Sequence, residues 1–351
     1  MGRDWGSAPT GLSVPIVTAL DSDGQLIESD QRALVRHVIQ HGRGADMVFY
    51  MGTTGEWDRV PNALRQSVIR ICADEVARVN VELSDVRAAP VASWAGVTAP
   101  NPEETLANLA CALDAGADGA IVAPLAIRGV DDPLRFLRED VGDVLAAQAR
   151  QLPVFLYDNA DIAVDPARPY LSDEEAAAIS RLDFVRGIKV SAPIDVVDQH
   201  LRVNAGRGAD EYGVHVGYGS LVFELFARPE SESEARPSGI VCGPANCLPR
   251  EWAHAWRSCV AGDREAARRA KGVVDLFREL TFTPDGRRTI AVLKRALLLD
   301  GVLSSDALAE GTPALGDADR ARFDAGYAAL RADASDRMAA PWITPRSAGR
   351  G

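Results

Sequence analysis

The chain has 351 residues, a net charge of −12 at neutral pH and 47% hydrophobic residues. That composition belongs to a soluble globular protein with material for an ample core. The acidic balance excludes nucleic acid and anionic membrane surfaces as partners, but a locally positive site could still hold an anionic small molecule.

No apolar run approaches the ~20 residues of a membrane span. The N-terminus, Met1-Gly2-Arg3-Asp4-Trp5, lacks the basic-then-apolar form of a signal peptide, so a cytoplasmic location is expected. The five cysteines (Cys72, Cys111, Cys242, Cys247, Cys259) are odd in number and form no CxxC pair. The five histidines show no ligand spacing such as HExxH. Neither a disulfide framework nor a metal site is expected.

Short apolar runs alternate with helical patterns along the chain. Leu12 to Leu20 predicts a strand, and Ser29-Asp30 a cap for a helix to about His41. Asp46 to Met51 predicts the second strand, ending in Gly52-Thr53-Thr54-Gly55-Glu56, with a helix from Asn62 to Val79. Val86 to Ser93 reads as the third strand, and Pro102 opens a helix to Ala115. Asp118 to Ala123 is the fourth strand, followed by a helix from Pro133 to about Arg150. Pro153 to Tyr157 is the fifth, and Ser172-Asp173-Glu174-Glu175 starts a helix in capping-box fashion. Phe184 to Ser191, Gly213 to Val216 and Gly239 to Cys242 are strands six to eight. The polar, Pro-flanked stretch Arg228–Pro237 reads as a mobile insertion. From Pro249 onward the pattern is helical only.

Strands buried on both faces and separated by amphipathic helices imply parallel β/α units. Eight of them in about 240 residues match a closed (β/α)8 TIM barrel. The open doubly wound sheet is the alternative, but no GxGxxG follows the first strand. The expected organisation is a barrel over 11–262, a C-terminal helical extension over 263–338 and a disordered tail over 339–351.

The sixth strand carries a lysine amid β-formers, Phe184-Val185-Arg186-Gly187-Ile188-Lys189-Val190-Ser191. Of 38 lysines and arginines only Lys189, Lys271 and Lys294 are lysines. Cationic surface is thus supplied by arginine, and a lysine kept inside a strand pattern stands out. Burial disfavours the charged amine and leaves a nucleophile suited to Schiff-base chemistry with a carbonyl. The alternative is a lysine at a strand end snorkelling to water.

In a barrel the site lies at the C-terminal strand ends. Thr18, Thr53, Thr54, Glu56, Ser93, Tyr157, Lys189, Ser191, Tyr218 and Asn246 fall there. The glycines of the Gly52–Glu56 stretch let the backbone bend sharply, so that amides and hydroxyls can face a carboxylate; an ordinary βα turn is the alternative. Tyr157 ends the strand before that of Lys189, and neighbouring strands lie ~4.8 Å apart, so phenol and amine can reach one substrate atom.

GTTGE after strand two, tyrosine after strand five and Gly187-Ile188-Lys189 on strand six resemble the dihydrodipicolinate synthase/N-acetylneuraminate lyase superfamily of class I pyruvate-dependent aldolases. The resemblance runs from the Val17-Thr18 strand end to the C-terminal helices. It implies that Lys189 forms the Schiff base with a 2-oxo acid and that Tyr157 is the general acid/base. Thr53 and Thr54 would hold the acid's carboxylate, with Thr53 in the proton relay. Gly52, Ser191, Tyr218 and Asn246 are expected to complete substrate binding. It further implies a homo-oligomer, tetramer or dimer, and no cofactor, since the lysine supplies the electron sink.

The sequence departs from the family where an acceptor would sit. The usual tyrosine-asparagine-x-proline is Tyr157-Asp158-Asn159-Ala160, and Ile162 stands where synthases carry a carboxylate-gripping arginine. Pro124-Leu125-Ala126 replaces their tyrosine pair, and glycine stands at the aspartate of sialic acid lyases in Val216-Gly217-Tyr218-Gly219-Ser220. Lysine biosynthesis and sialic acid cleavage are therefore not expected. Trp57, Trp94, Leu125 and Ile162 suggest a less polar acceptor pocket, with Asp158, Asp161 and Ser191 as hydroxyl contacts and Arg128 as a source of positive charge. The expected function is a class I aldolase or lyase joining or cleaving a 2-oxo acid and an aldehyde. The alternatives are a Schiff-base dehydratase or hydratase of a 2-oxo sugar acid, and a catalytically inactive barrel that binds a 2-oxo acid.

Overall fold

The computed structural model describes residues 5–6, 8–203, 205, 207–208, 210–228, 236–284 and 286–337. Eight parallel strands close into a barrel in the order β1 to β8, with β8 pairing back to β1. In chain order the elements begin with β1 (Gly11–Pro15), α1 (Glu28–Ile39), β2 (Met47–Tyr50), α2 (Asn62–Asp85), β3 (Ala92–Gly96) and α3 (Pro102–Asp114). There follow β4 (Gly119–Val122), α4 (Pro133–Phe136), a π-helical turn Leu137–Val141, α5 (Gly142–Ala146), β5 (Val154–Asn159), α6 (Asp173–Ile179) and β6 (Val185–Ser191). The barrel ends with α7 (Ile194–Val203), β7 (Gly213–Val216), α8 (Leu221–Ala227) and β8 (Gly239–Val241). Both faces of most strands are buried, as parallel strands between helices and a filled lumen require.

α9 (Pro249–Val260) packs on β1 and α8 and so completes the outer ring. Beyond it come α10 (Arg264–Leu280), the strands β9 (Phe282–Thr283) and β10 (Gly286–Arg287), α11 (Thr289–Leu299) and α12 (Asp317–Arg337). The short β9–β10 pair is antiparallel and interrupts what the sequence pattern presents as purely helical. Only two residues long on each side, it leaves no periodicity to read.

The (β/α)8 architecture agrees with the sequence reading, and the differences lie at the edges. The third strand sits later than its predicted Val86–Ser93. α2 runs on to Asp85, Val86 is 67% exposed just past its end, and the Asn80 amide fixes Val91 by donating to its carbonyl (2.9 Å) and accepting its N–H (2.8 Å). β-Branched residues after a helix end imitate a strand start. Ser29-Asp30 does not cap α1, whose N-cap is Ile27. The Asp30 carboxylate instead accepts the Ser304 N–H (2.6 Å) and hydroxyl (2.7 Å), tying the C-terminal segment to the barrel. The capping box at Ser172 forms as expected. Most of the predicted insertion, residues 229–235, and the tail from 338 onward lie outside the described residues. Among the described residues no helix is long and apolar enough to cross a membrane.

Candidate active site

A one-residue irregularity sets the direction of Lys189. β5 pairs with β6 through Val154↔Val185, but the next pair is Phe155↔Gly187, which leaves Arg186 as the extra residue of a bulge. A one-residue slip exchanges the two faces of a strand. Because of this slip Lys189 faces Tyr157, in the pairing Tyr157↔Lys189, and both side chains point to the same cavity. Gly187 is required here: a Cβ would lie 2.2 Å from the Phe155 ring and 2.2 Å from the Gly213 carbonyl oxygen. The lumen beneath is filled by Phe155, which packs edge-on against Trp94 and His215 at 5.0 and 5.1 Å between ring centres. Burial lowers the His215 imidazole to about 4, so it sits neutral in register with Lys189.

Lys189 is 5% exposed, and its nitrogen lies 3.6 Å from the centre of the Tyr157 ring and 5.2 Å from that of Phe49. No carboxylate pairs with it among the described residues. Burial lowers the Lys189 amine below the ordinary lysine range, and Tyr157 opposes this only in part. Burial raises the Tyr157 phenol, but the Lys189 charge and hydrogen bonds with Thr53, Lys189 and Ser191 bring it below its ordinary value. Amine and phenol can thus exchange one proton between them.

Three neighbours hold the phenol oxygen in place. Thr53 Oγ1 lies 3.2 Å from it, the Asn159 amide donates to it at 2.8 Å, and the Ser191 hydroxyl faces it. Asn159 reaches the phenol because β5 continues two residues past Tyr157, so positions 155, 157 and 159 share the inner face. The sequence reading ends this strand at Tyr157 and assigns Asn159 no role; extending the alternation by one step finds it.

The Gly52–Glu56 turn forms as a 3₁₀ turn over Thr53–Gly55. Its glycines provide space and not left-handed backbone. Gly52 has φ −89°, and a Cβ there would meet the Phe49 ring at 2.5 Å. The left-handed residues are Met51 (φ 57°) and Glu56 (φ 59°), on either side of the threonines. Glu56 is fully buried. One carboxylate oxygen accepts the Ala309 N–H (2.8 Å) and the Thr312 hydroxyl (2.7 Å), and the other lies 2.5 Å from Lys294 Nζ. Lys294, on α11, also donates to the Ala307 carbonyl at 2.7 Å. A buried ion pair from the C-terminal helices thus braces the turn that presents Thr53 and Thr54.

The strand ends open into a cavity of about 640 Å³. Of the sequence-selected residues, Thr53, Thr54, Tyr157, Lys189, Ser191 and Tyr218 line it. Gly52 and Asn246 do not. Gly52 acts through the Phe49 ring, and the Asn246 side chain is spent on Val17 N–H (3.2 Å) and on the Pro15 and Gly243 carbonyls (both 2.8 Å). Thr18, Glu56 and Ser93 are also turned to structural work: the Thr18 hydroxyl donates to the Gly55 carbonyl, and Ser93 pairs with the Tyr50 hydroxyl.

The acceptor side differs from its sequence reading. Trp57, Trp94, Leu125, Ile162 and Arg128 are not in the cavity wall. Asp158 points outward, where it accepts the Leu171 N–H and meets His200 Nε2 at 3.0 Å. The wall mixes polar and apolar side chains, with Val241, Trp252, Val274 and Ile290 among the apolar ones. Asn159 and Asp161 contribute to it, and arginines come from Arg59 and from the C-terminal stretch Arg278, Arg287 and Arg288. These last lie some 90 residues past Lys189 in sequence, in a stretch that reads as helical appendage, so no local pattern could assign them.

A barrel with a buried lysine on β6 and a phenol on β5, both opening on one cavity at the strand ends, defines a lysine-bearing (β/α)8 protein. A sequence model of the dihydrodipicolinate synthetase family matches residues 8–131. An uncharacterized DapA-like lyase of Halobacterium salinarum is 28% identical over 91% of this chain and 93% of its own length. YagE of Escherichia coli, a prophage protein of the dihydrodipicolinic acid synthase family solved in complex with pyruvate, superposes with a TM-score of 0.74 at 21% identity, covering 92% of this chain and 98% of its own. A dihydrodipicolinate synthase from Bacteroides thetaiotaomicron gives 0.73 at 22% identity, covering 92% and 99%. The chain is thus similar to the dihydrodipicolinate synthase family, in sequence over residues 8–131 and in fold over most of its length.

Proposed function

We propose that this protein is a class I aldolase or lyase that makes or breaks a C–C bond next to a 2-oxo acid through a Lys189 Schiff base. The observation that carries this reading is the Lys189–Tyr157 pair: a buried amine with a phenol, and not a carboxylate, as its partner. A carboxylate would hold the amine charged. A phenol of lowered pKa can take and return the proton.

The neutral Lys189 amine attacks the keto carbon of the 2-oxo acid, and the carbonyl oxygen leaves as water after protonation by Tyr157. The resulting iminium withdraws electrons from C3. Loss of a C3 proton, or cleavage of the C3–C4 bond, then gives an enamine. In the synthetic direction the enamine attacks an aldehyde carbonyl, and hydrolysis of the imine frees the lysine. Thr53 shares the phenolic proton with Tyr157, while Thr54 and the backbone of the turn hold the carboxylate. That YagE is solved with pyruvate supports pyruvate as the donor, and its proposed name, 2-dehydro-3-deoxy-D-gluconate aldolase, supports an aldehyde acceptor.

Enamine formation can be tested without knowing the acceptor. Incubated with pyruvate in D2O, the protein is expected to exchange the pyruvate methyl protons for deuterium, seen as loss of the methyl proton signal, and Lys189→Ala is expected to lose this exchange. Equal exchange by wild type and Lys189→Ala would refute the reading.

A further inference from the structure

Arg278 is on the last turn of α10 and Arg287 is on β10, and both line the cavity that holds Lys189. Neither makes an ion pair or side-chain hydrogen bond among the described residues, and the Arg287 guanidinium lies 5.9 Å from the centre of the Phe282 ring. Some arginines of the chain are engaged by carboxylates, as Arg32 is by Glu28, Asp74 and Glu75, and Arg295 by Asp306 and Asp324. Arg59, also in the cavity wall, has Asp58 at 3.4 Å.

Crowding by protein atoms lowers the Arg287 cation, and the like charge of Arg278 adds to this. Two guanidinium groups facing one space repel each other unless an anion lies between them. The planar fork of arginine matches carboxylate and phosphate oxygens. In the same cavity, Tyr218 and Asp161 offer a phenol and a carboxylate that suit hydroxyl groups.

We propose that Arg278 and Arg287 form an anion-binding subsite for the far end of the acceptor, so that the substrate class is a hydroxylated aldehyde ending in a carboxylate or phosphate. This deepens the aldolase reading and rests on it. The subsite would replace the arginine that synthases carry after strand five, where this chain has Ile162, by cations from a different part of the chain.

Binding of unreactive acceptor analogues tests the subsite independently of turnover. With pyruvate present to fill the Thr53–Thr54 end, titration calorimetry would compare glycerol 3-phosphate with glycerol, and 4-hydroxybutyrate with 1,4-butanediol. Wild type is expected to bind the charged member of at least one pair about 10–100-fold tighter, as charge-assisted hydrogen bonds imply. Arg278→Ser/Arg287→Ser is expected to lose that preference, and the pair that shows it identifies the anion. No preference in wild type, or a preference kept by the double variant, would overturn the proposal. Circular dichroism checks that the double variant keeps its fold, and pyruvate methyl exchange by the wild type tests the imine separately. Absence of exchange in wild type would count against the imine and leave the binding result to judge the subsite.

Discussion

Lys189 on β6 and Lys294 on α11 are buried to similar degrees, 5% and 0% exposed, yet their surroundings differ. Lys294 has a buried carboxylate at 2.5 Å and a carbonyl at 2.7 Å, and Glu56 has two further donors of its own. Every charge there has a partner. Lys189 has a phenol, two aromatic ring faces and an open cavity. Burial pulls both amines down, but only at Lys294 does a carboxylate oppose it. The comparison separates a lysine that holds structure from one left free to react. Two of the three lysines of the chain are thereby accounted for.

The sharpest way to break this comparison is to delete each amine in turn. Lys189→Ala is expected to lose pyruvate exchange entirely while keeping its unfolding midpoint within a few degrees, since no ion pair goes with it. Tyr157→Phe is expected to slow exchange by roughly 10²- to 10⁴-fold, the usual worth of a positioned acid/base. Exchange within about threefold of wild type would move the proton-transfer role to another group.

Lys294→Met reverses the pattern. It leaves Glu56 buried without its cation, and urea unfolding is expected to show a loss of about 3–5 kcal/mol. Lys294→Met/Glu56→Gln is expected to recover much of that loss, because no buried charge remains. A loss under about 1 kcal/mol for the single variant would show that the pair is not a brace. Asn159→Ala removes one neutral hydrogen bond to the phenol, worth about 1 kcal/mol, so exchange is expected to fall by several-fold. An unchanged rate would mean that Thr53 and Ser191 suffice.

The smallest effect is on pH. Only the neutral amine attacks a carbonyl, so exchange is expected to rise with pH through a midpoint below the 10.5 of an ordinary lysine and then level off. Tyr157 raises the Lys189 amine, so the residual exchange of Tyr157→Phe is expected to have its midpoint at still lower pH. A midpoint that moved upward would show that the phenol does not stabilise the ammonium.

Strand and helix periodicity makes the eight β/α units legible in the sequence, and with them the strand ends where the site lies. Lys189 is legible because it breaks a β-forming run in a lysine-poor chain. The facing of Lys189 and Tyr157 is not, since it depends on the bulge at Arg186, which shifts register without altering composition. Asn159 is missed because β5 outlasts its apolar stretch, and Asn246 stays out of the cavity wall because its hydrogen bonds run back to Val17 and Pro15 at the far end of the chain. The arginines of the acceptor end are missed for the same reason. Their place in the wall comes from how α10 and the β9–β10 pair fold back over the barrel, a contact no short window contains.

The central claim is that one particular buried amine forms an imine. Incubating the protein with pyruvate and sodium borohydride, then mapping peptide masses, tests it directly. The account predicts a pyruvyl adduct on the peptide containing Lys189, none on that containing Lys294, and none at all in Lys189→Ala. An adduct confined to Lys294, or no adduct with any 2-oxo acid, would contradict it.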